Sequence, residues 1–385
     1  MEKRYRTMEG IKKENIIKLS KSCISNAEKT AVQKVLDNEY LGMGSEVKEF
    51  EDLLTNFFGR PTACVVSGTA ALHLAIQAAG ITNNDEILVQ SNTYVASYQA
   101  ISAAGANPVS CDIDPSTLCL DYRDAEAKLT SKTKAIMPVH YAGGVGELDK
   151  LYEFAESNNL RVIEDAAHAF GSVYKSKRIG SFGDIACFSF DGIKNITSGE
   201  GGCVVSNDKE VINSIRDSRL LGVEKDTDKR YSASRSWIFD VKEQGWRYHM
   251  SNIMAAIGIE QFKRFEYLSK KRQKIAKNYD DKLKDIKEIT TFSHNYDEVV
   301  PHIYVVLLDK SLDRSKVQES LLERGIQTGI HWFPAHKLSY FKNSKAMLPV
   351  TEDIHSRILT LPLHPDLSDG DIERIFEELK NSIGI

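Results

Sequence analysis

Residues 180–202, GSFGDIACFSFDGIKNITSGEGG, combine an apolar run, a turn with a single lysine and a glycine-rich reversal. Ile185 to Phe190 is predicted to form a buried strand, and Cys203 to Ser206 a second one directly after the glycines. Lys194 therefore lies in a turn between two core strands. Most lysines are solvated surface charges, but a partly buried lysine with a destabilised ammonium group is the residue type that forms an imine with an aldehyde cofactor.

Short apolar runs alternate with helix-like segments on both sides of this stretch, over about residues 60–210. Thr69 to Gly80, Val95 to Ala104 and Glu147 to Asn158 have apolar residues at three- and four-residue spacing, as crossover helices do. The fold class is therefore α/β, with a mostly parallel sheet covered by helices. The other predicted strands are Ala63 to Ser67, Glu86 to Ser91, Asn107 to Asp114, Ala135 to Ala142 and Arg161 to Ala166.

The pattern changes after about residue 250. Ser251 to Lys284 is a long stretch with helical apolar spacing and dense Lys and Arg on its other face, which predicts a helical link between two domains. Ile303 to Leu308 predicts a strand, and a terminal helix begins at Asp369, which together favour a smaller α+β domain. We predict an N-terminal segment over 1–25, a large domain over 26–262 and a small C-terminal domain over 263–385.

Composition excludes several classes of protein. A chain of 385 residues that is 42% hydrophobic is too large for a single small binding module and has ample material for a buried core. A net charge of −4 gives no global reason to bind nucleic acid or an anionic membrane. The six cysteines include no CxxC pair and no Cys/His cluster at zinc-ligand spacing, and the N-terminus lacks a signal-peptide core. We expect a cytoplasmic protein without a metal site or membrane anchor.

Two further motifs supply candidate chemistry. The strand ending in Asp165 places a carboxylate at the edge of the sheet where such folds bind ligands, although a helix cap or a surface acid is the alternative. The turn at Ser67-Gly68-Thr69-Ala70 joins a strand to a helix and offers free amides to a phosphate, or is a plain helix cap. Ser189 is placed to add a hydroxyl and Tyr94 an aromatic ring, unless both only pack in the core.

The order of these features resembles pyridoxal-phosphate enzymes of the aspartate-aminotransferase fold type. Specifically, the chain is similar to the DegT/DnrJ/EryC1/StrS family, whose members aminate keto groups of nucleotide-linked deoxysugars. The likeness covers nearly the whole chain. It rests on Ser67 to Leu72, Thr93 to Ala96, Glu164 to His168, Phe188 to Phe190, Lys194, Gly199 to Gly202, Met250 to Gly258, His331, His336 and Leu361 to Pro365.

The resemblance implies a role for each matched position. Lys194 would form the imine with the cofactor, Asp165 would pair with its pyridine nitrogen, Tyr94 would stack on its ring, and His168 would lie near its ring oxygen. His331 and His336 would lie on the substrate side. The phosphate would be held by Gly68, Thr69, Ala70 and Ser189.

Three positions depart from the family pattern. Arg247 replaces an asparagine that in the family reaches the cofactor phosphate of the neighbouring subunit, and His249 lies in the same altered motif. A guanidinium also binds phosphate, so we retain Arg247 as a cofactor ligand and expect a homodimer with shared active sites. Asp191 stands where the family more often has histidine or an aromatic residue.

The predicted activity is transfer of an amino group from L-glutamate to a nucleotide-linked keto-deoxysugar, with C4 favoured over C3, in amino-sugar or surface-polysaccharide biosynthesis. The cofactor cycles between pyridoxal and pyridoxamine phosphate. Lys194 excludes the related dehydratases, which carry histidine there. The alternatives are an aminotransferase for a non-nucleotide cyclic ketone and a catalytically silent relative that binds sugar nucleotides.

Overall fold

The computed structural model describes residues 16–235, 237–292, 294–342 and 346–385. Its centre is a seven-stranded sheet in the order β1-β9-β8-β5-β4-β2-β3, in which β9 alone runs antiparallel to its neighbours. The strands are β1 (Thr62–Val65), β2 (Glu86–Gln90), β3 (Asn107–Cys111), β4 (Thr133–Met137), β5 (Arg161–Asp165), β8 (Ile185–Ser189) and β9 (Gly202–Ser206), with a hairpin of β6 (Val173–Tyr174) and β7 (Lys177–Arg178) between β5 and β8. The fold class predicted from the sequence is confirmed.

Helices cover both faces of this sheet. One face of the sheet packs against apolar side chains of α3 (Gly68–Ala78), α4 (Val95–Ala103) and α7 (Lys209–Ser218). The other face packs against those of α2 (Ser45–Phe58), α6 (Leu148–Ser157) and α9 (Asn252–Lys263). Because both faces are covered, the strands are apolar on consecutive residues. The helices are α1 (Asn26–Asp37), α2 (Ser45–Phe58), α3 (Gly68–Ala78), α4 (Val95–Ala103), α5 (Tyr122–Ala127), α6 (Leu148–Ser157), α7 (Lys209–Ser218), α8 (Asp226–Tyr231) and α9 (Asn252–Lys263).

The stretch from Ser251 to Lys284 is helical, as predicted, but it is divided into two helices. Helix α9 ends at Lys263, Arg264 leaves the helical conformation, and α10 (Phe265–Leu283) begins directly after it. The two helices bury their apolar sides in different cores, α9 against the central sheet and α10 against the small sheet described below. Each core orients its own helix, so continuous apolar spacing does not mean one straight helix here.

Two predicted strands extend too far. Strand β4 ends at Met137 rather than at Ala142, because the chain turns through a short 3₁₀ helix over Tyr141–Gly143. Strand β3 ends at Cys111 rather than at Asp114, where the Asp114 carboxylate caps a turn by accepting hydrogen bonds from the amides of Ser116 and Thr117. The turn after β3 is polar, whereas the residues after Met137 are mostly apolar and buried, so the apolar run is longer than strand β4.

The C-terminal region has its own antiparallel sheet in the order β10-β11-β12. Its apolar side packs against α10, α11 and α13 in a separate core. The domain boundary at 262/263 stays a prediction. No helix in the described ranges has the length and apolar character needed to cross a membrane. The elements are β10 (Ile289–Thr291), β11 (Tyr304–Leu308), α11 (Arg314–Glu323), α12 (Pro349–Arg357), β12 (Ile358–Leu361) and α13 (Asp369–Ile383).

Candidate active site

The ends of three neighbouring strands bring the candidate residues to one edge of the central sheet. Asp165 is the last residue of β5, and Ser189 is the last residue of the adjacent strand β8. Strand β9 starts at this same edge, where Gly202 pairs with both Ser189 and Val65. A Cβ atom at Gly202 would lie 2.6 Å from the Ser67 carbonyl oxygen and 2.7 Å from that of Phe188, so only glycine fits in β9 between these two backbones.

The first turn of α3 forms a cup for an anion. Ser67 caps the helix, and its Oγ accepts a hydrogen bond of 3.1 Å from the amide of Ala70. The amides of Gly68 and Thr69 have no acceptor within the helix and lie at the positive end of its dipole. Ser189 closes the cup, because a Cβ atom at Gly68 would lie only 2.7 Å from the Ser189 Cβ. The Ala70 amide, predicted as a phosphate ligand, already donates to Ser67.

Asp165 is buried and receives two hydrogen bonds. Ser97 Oγ donates to its Oδ2 at 2.7 Å, and the amide of Ala167 donates to its Oδ1 at 3.2 Å. Because Ser97 uses its single proton in this way, it accepts the 2.7 Å hydrogen bond from Thr93 Oγ1. Burial raises the pKa of Asp165, while these donors and the positive charge of Lys194 oppose the rise.

Lys194 lies in the turn between β8 and β9 and lines the same cavity as Asp165. Burial lowers the pKa of Lys194 to about 8, whereas Asp165 and Asp191 favour its charged form. The Asp191 carbonyl accepts the Lys194 amide at 3.1 Å, and Asp191 Oδ1 accepts the amide of Ile193 at 3.2 Å. The turn thus carries a lysine that is partly neutral near pH 8.

His168 belongs to a histidine cluster that sequence reasoning identified only in part. Its ring lies 4.4 Å from that of His302 between centroids, and both imidazoles are buried. Burial holds the pKa of each well below its ordinary value, and the charge of Lys194 adds to this. Both rings are therefore neutral at pH 7. Each has an Nδ1 atom with no hydrogen-bond partner among the described residues.

Aromatic side chains form the outer wall of the cavity. Tyr94 is 56% exposed, and its ring centroid lies 5.0 Å from that of Trp332. His331 hydrogen-bonds through Nδ1 to Thr360 Oγ1 at 2.8 Å, and burial lowers the pKa of His331 to about 4. The cavity has a volume of about 580 Å³. Its lining includes Leu19, Ser20, Ser67, Gly68, Thr69, Tyr94, Asp165, His168, Ser189, Asp191, Lys194, Glu200, His302, His331 and Trp332.

Three predicted or noted residues lie elsewhere. His336 is buried outside the cavity, where its Nδ1 bonds to Ser91 Oγ at 2.6 Å and its Nε2 lies 3.3 Å from Glu352, so its position does not support a substrate contact. Arg247 is exposed, pairs with Leu220 through an isolated bridge, and does not line the cavity of its own chain. His249 bridges to Val65, and burial lowers its pKa to about 4.

The residues fit pyridoxal phosphate. The cup at Gly68 is packed so closely against Ser189 that only glycine leaves space there for an anion. A lysine with a lowered pKa, a buried carboxylate and an imidazole with an unpartnered nitrogen line one cavity. These are the groups needed for an aldehyde carbon, a pyridine nitrogen and a ring hydroxyl. Sequence reasoning did not identify Ser97, His302 or Trp332, for which no motif gave a signal.

Comparison with known proteins identifies the family of the chain. Residues 22–380 match the model of the DegT/DnrJ/EryC1/StrS aminotransferase family. The chain is 34% identical over 382 residues to the spore coat polysaccharide biosynthesis protein SpsC of Bacillus subtilis, covering 97% of this chain and 98% of that protein.

Solved structures agree as well. The sugar aminotransferase Spr1654 of Streptococcus pneumoniae in its pyridoxamine-phosphate form superposes with a TM-score of 0.89 at 30% identity, over 95% of this chain and 97% of that one. The same protein is known in a pyridoxal-phosphate form. Helicobacter pylori PseC, an aminotransferase involved in pseudoaminic acid biosynthesis, gives 0.88 at 27% identity over 96% and 99%. The chain is thus a pyridoxal-phosphate-dependent sugar aminotransferase and belongs to the DegT/DnrJ/EryC1/StrS family.

Proposed function

We propose that the enzyme moves the amino group of L-glutamate to the C4 keto group of a nucleotide-linked deoxysugar. The observation that carries this proposal is the position of Lys194 in one cavity with Asp165 and His168. The names of SpsC and PseC support a sugar acceptor in polysaccharide or surface-sugar biosynthesis. The similarity of residues 247–258 to 4-keto-sugar enzymes supports C4 over C3.

Lys194 is the proton carrier in this proposal. When bound, pyridoxal phosphate supplies an electron sink for the electron pair released at the amino-bearing carbon. Lys194 Nζ, partly neutral because burial lowers its pKa to about 8, accepts the proton from that carbon of glutamate. Lys194 would move this proton between that carbon and the bound cofactor in the first half-reaction, and between the cofactor and the sugar carbon in the second.

Asp165 and His168 would hold the ring of the cofactor. The Asp165 carboxylate would pair with the pyridine nitrogen and keep a proton there, and that positive charge would in turn oppose the rise that burial causes in the pKa of Asp165. Ser97 orients Asp165 through the 2.7 Å hydrogen bond. His168, neutral at pH 7, presents an imidazole toward the ring oxygen. The amides of Gly68 and Thr69, with Ser189, would bind the phosphate.

A homodimer is part of the proposal. Three consecutive apolar side chains are strongly exposed, with Trp237 at 86%, Ile238 at 97% and Phe239 at 58%. Such a group of apolar side chains is typical of a protein interface. Arg247 follows on the same segment, exposed and outside its own chain's cavity. We propose that a second copy of the chain covers this segment and that Arg247 reaches the phosphate bound by that copy.

The test is a panel of acceptors offered together with L-glutamate. UDP-, dTDP- and GDP-linked 4-keto and 3-keto sugars, and an unlinked cyclic ketone, are incubated with the enzyme, and amino products are identified by mass spectrometry. Lys194→Met serves as the inactive control. We expect product from a nucleotide-linked 4-keto sugar. If only 3-keto sugars give product, the assignment of the reaction to C4 is wrong. If only the unlinked ketone gives product, the requirement for a nucleotide-linked substrate is wrong. If the enzyme loaded with cofactor gives no product with any acceptor, the proposed activity is wrong.

A further inference from the structure

Arg272, on α10, binds four backbone carbonyl groups from three separate segments. Its Nη2 donates to Ile193 and Lys194 at 3.2 and 3.4 Å, and its Nη1 donates to His302 and Leu363 at 3.1 and 3.4 Å. The side chain is 2% exposed. One guanidinium group therefore joins the turn that carries the reactive lysine to the segments that enter β11 and leave β12.

No carboxylate in the described part of the chain neutralises the charge of Arg272. Among the described residues, no Asp or Glu lies within ion-pair distance of Arg272. Its Nε has no hydrogen-bond partner there either. Burial lowers the pKa of Arg272 to about 10, so the group is still charged at pH 7. A buried and unpaired charge is costly, which makes a purely incidental contact a poor explanation for its presence.

We propose that Arg272 is a positioning residue. It fixes the backbone of Lys194 relative to that of His302, so that the lysine amine faces the cluster of His168 and His302. The inference rests on the proposed function in that Lys194 is the reactive group. Both segments contribute side chains to the cavity, and Arg272 itself does not line it. Its action on the reaction therefore passes through the two backbones that it binds.

The charge of Arg272 has a second effect in the same direction. It lowers the pKa of Lys194 and that of His302, adding to the larger effect of burial on both. A positive charge near the lysine favours its neutral amine. The neutral amine is the state that reacts to give an imine and that can accept a proton. Loss of Arg272 would admit water and remove this charge, and both changes raise the pKa of Lys194.

The chain offers a matched control in Arg60. It is 4% exposed, has an unpartnered Nε, and likewise binds four carbonyl groups, two through each terminal nitrogen, at 2.6 to 3.2 Å. Those carbonyls belong to residues 180–184, and Arg60 does not line the cavity. Arg60→Gln therefore removes a comparable set of structural contacts without touching the lysine turn.

The test measures the reactivity of Lys194 in the full-length, cofactor-free protein. Acetic anhydride acetylates amines only in their neutral form. Peptide mass spectrometry measures the extent of acetylation of Lys194 relative to that of the exposed Lys132 in the same sample. We expect Arg272→Gln to move the pH midpoint for Lys194 labelling upward and to lower its rate at pH 7.5 about threefold or more, since each pH unit is worth tenfold. Arg60→Gln should retain the wild-type midpoint.

The loaded protein gives a second readout, the pH at which the visible absorbance of the bound cofactor changes, which should rise in Arg272→Gln as well. If that variant does not fold, Arg272→Lys replaces it. Lysine keeps the charge but cannot bind both pairs of carbonyl groups, so the readout is then the labelling rate of Lys194 relative to Lys132, which should fall. A wild-type labelling midpoint in Arg272→Gln, a wild-type labelling rate in Arg272→Lys, or an equal change in Arg60→Gln overturns the inference. Labelling needs neither cofactor nor sugar, so this failure is distinct from failure of the proposed activity.

Discussion

Replacing Lys194 by methionine should stabilise the cofactor-free protein at neutral pH. The cavity destabilises the ammonium group, and methionine has a similar length without a charge. The pKa of Lys194 falls from its ordinary 10.5 to about 8 in the folded protein. That difference corresponds to a penalty of up to about 3 kcal/mol for the charged lysine, at 1.36 kcal/mol per pH unit.

The sign of the pH dependence follows from the order of the two pKa values. Because the folded state has the lower value, the penalty is complete below pH 8 and is lost as the pH rises from 8 to 10.5. Urea unfolding at pH 7 and pH 10 measures it. Lys194→Met should gain about 1–3 kcal/mol at pH 7 and little at pH 10. The exposed Lys132→Met should change by less than about 0.5 kcal/mol at either pH.

A Lys194→Met protein that is no more stable than the wild type at pH 7 would refute this reasoning. The same holds for a gain that does not shrink toward pH 10, because a packing effect of methionine is independent of pH whereas a charge penalty is not.

Three further changes test the phosphate cup, the support of Asp165 and the subunit interface. Gly68→Ala should weaken pyridoxal-phosphate binding about tenfold or more, measured by equilibrium dialysis, because the added Cβ meets Ser189 at 2.7 Å. Ser97→Ala should lower the free energy of unfolding by about 1–3 kcal/mol in a urea titration, since a buried oxygen of Asp165 loses its donor. Trp237→Ser should weaken subunit association about tenfold or more in sedimentation equilibrium, since it removes an exposed apolar side chain from the proposed interface.

Each of these changes has a control in the chain. Gly42→Ala adds a Cβ with nothing within 4 Å and should leave cofactor binding unchanged. Ser102→Ala changes a serine on the same helix as Ser97 but away from Asp165. It should lower the free energy of unfolding by less than half the amount that Ser97→Ala does. Tyr267→Ser removes an exposed aromatic ring outside the segment and should leave association intact. Wild-type cofactor affinity in Gly68→Ala contradicts the phosphate cup, and wild-type stability in Ser97→Ala contradicts the support of Asp165. A wild-type protein that is monomeric contradicts the proposed interface.

Much of the fold is predictable because its signals are local. The strands β5, β8 and β9 are short apolar runs ended by polar or glycine residues, and the sequence carries these features directly. Ser67 and Gly68 are placed by the strand-to-helix turn. The break at Arg264 is not predictable in this way, because it depends on two cores that lie in different directions and not on the apolar spacing around it.

The missed residues come close to the site only through the tertiary structure. Ser97 reaches Asp165 from the helix after β2, although β4 lies between β2 and β5 in the sheet and the two residues are 68 positions apart. His302 and Arg272 come from the C-terminal region. His302 is more than a hundred positions from His168, and Arg272 is about eighty positions from Lys194. No spacing rule connects such pairs. His336 is the reverse case, since it lies at a position that matches the family motif but is buried outside the cavity.

The central claim is that Lys194 and its cavity carry out amino transfer from glutamate to a nucleotide-linked keto sugar. The most direct measurement is the visible absorbance of the enzyme loaded with pyridoxal phosphate, first with L-glutamate and then with a nucleotide-linked 4-keto sugar. We predict a band that bleaches on addition of glutamate and returns on addition of the sugar. A band that glutamate leaves unchanged, or a bleached band that no nucleotide-linked keto sugar restores, would contradict the account.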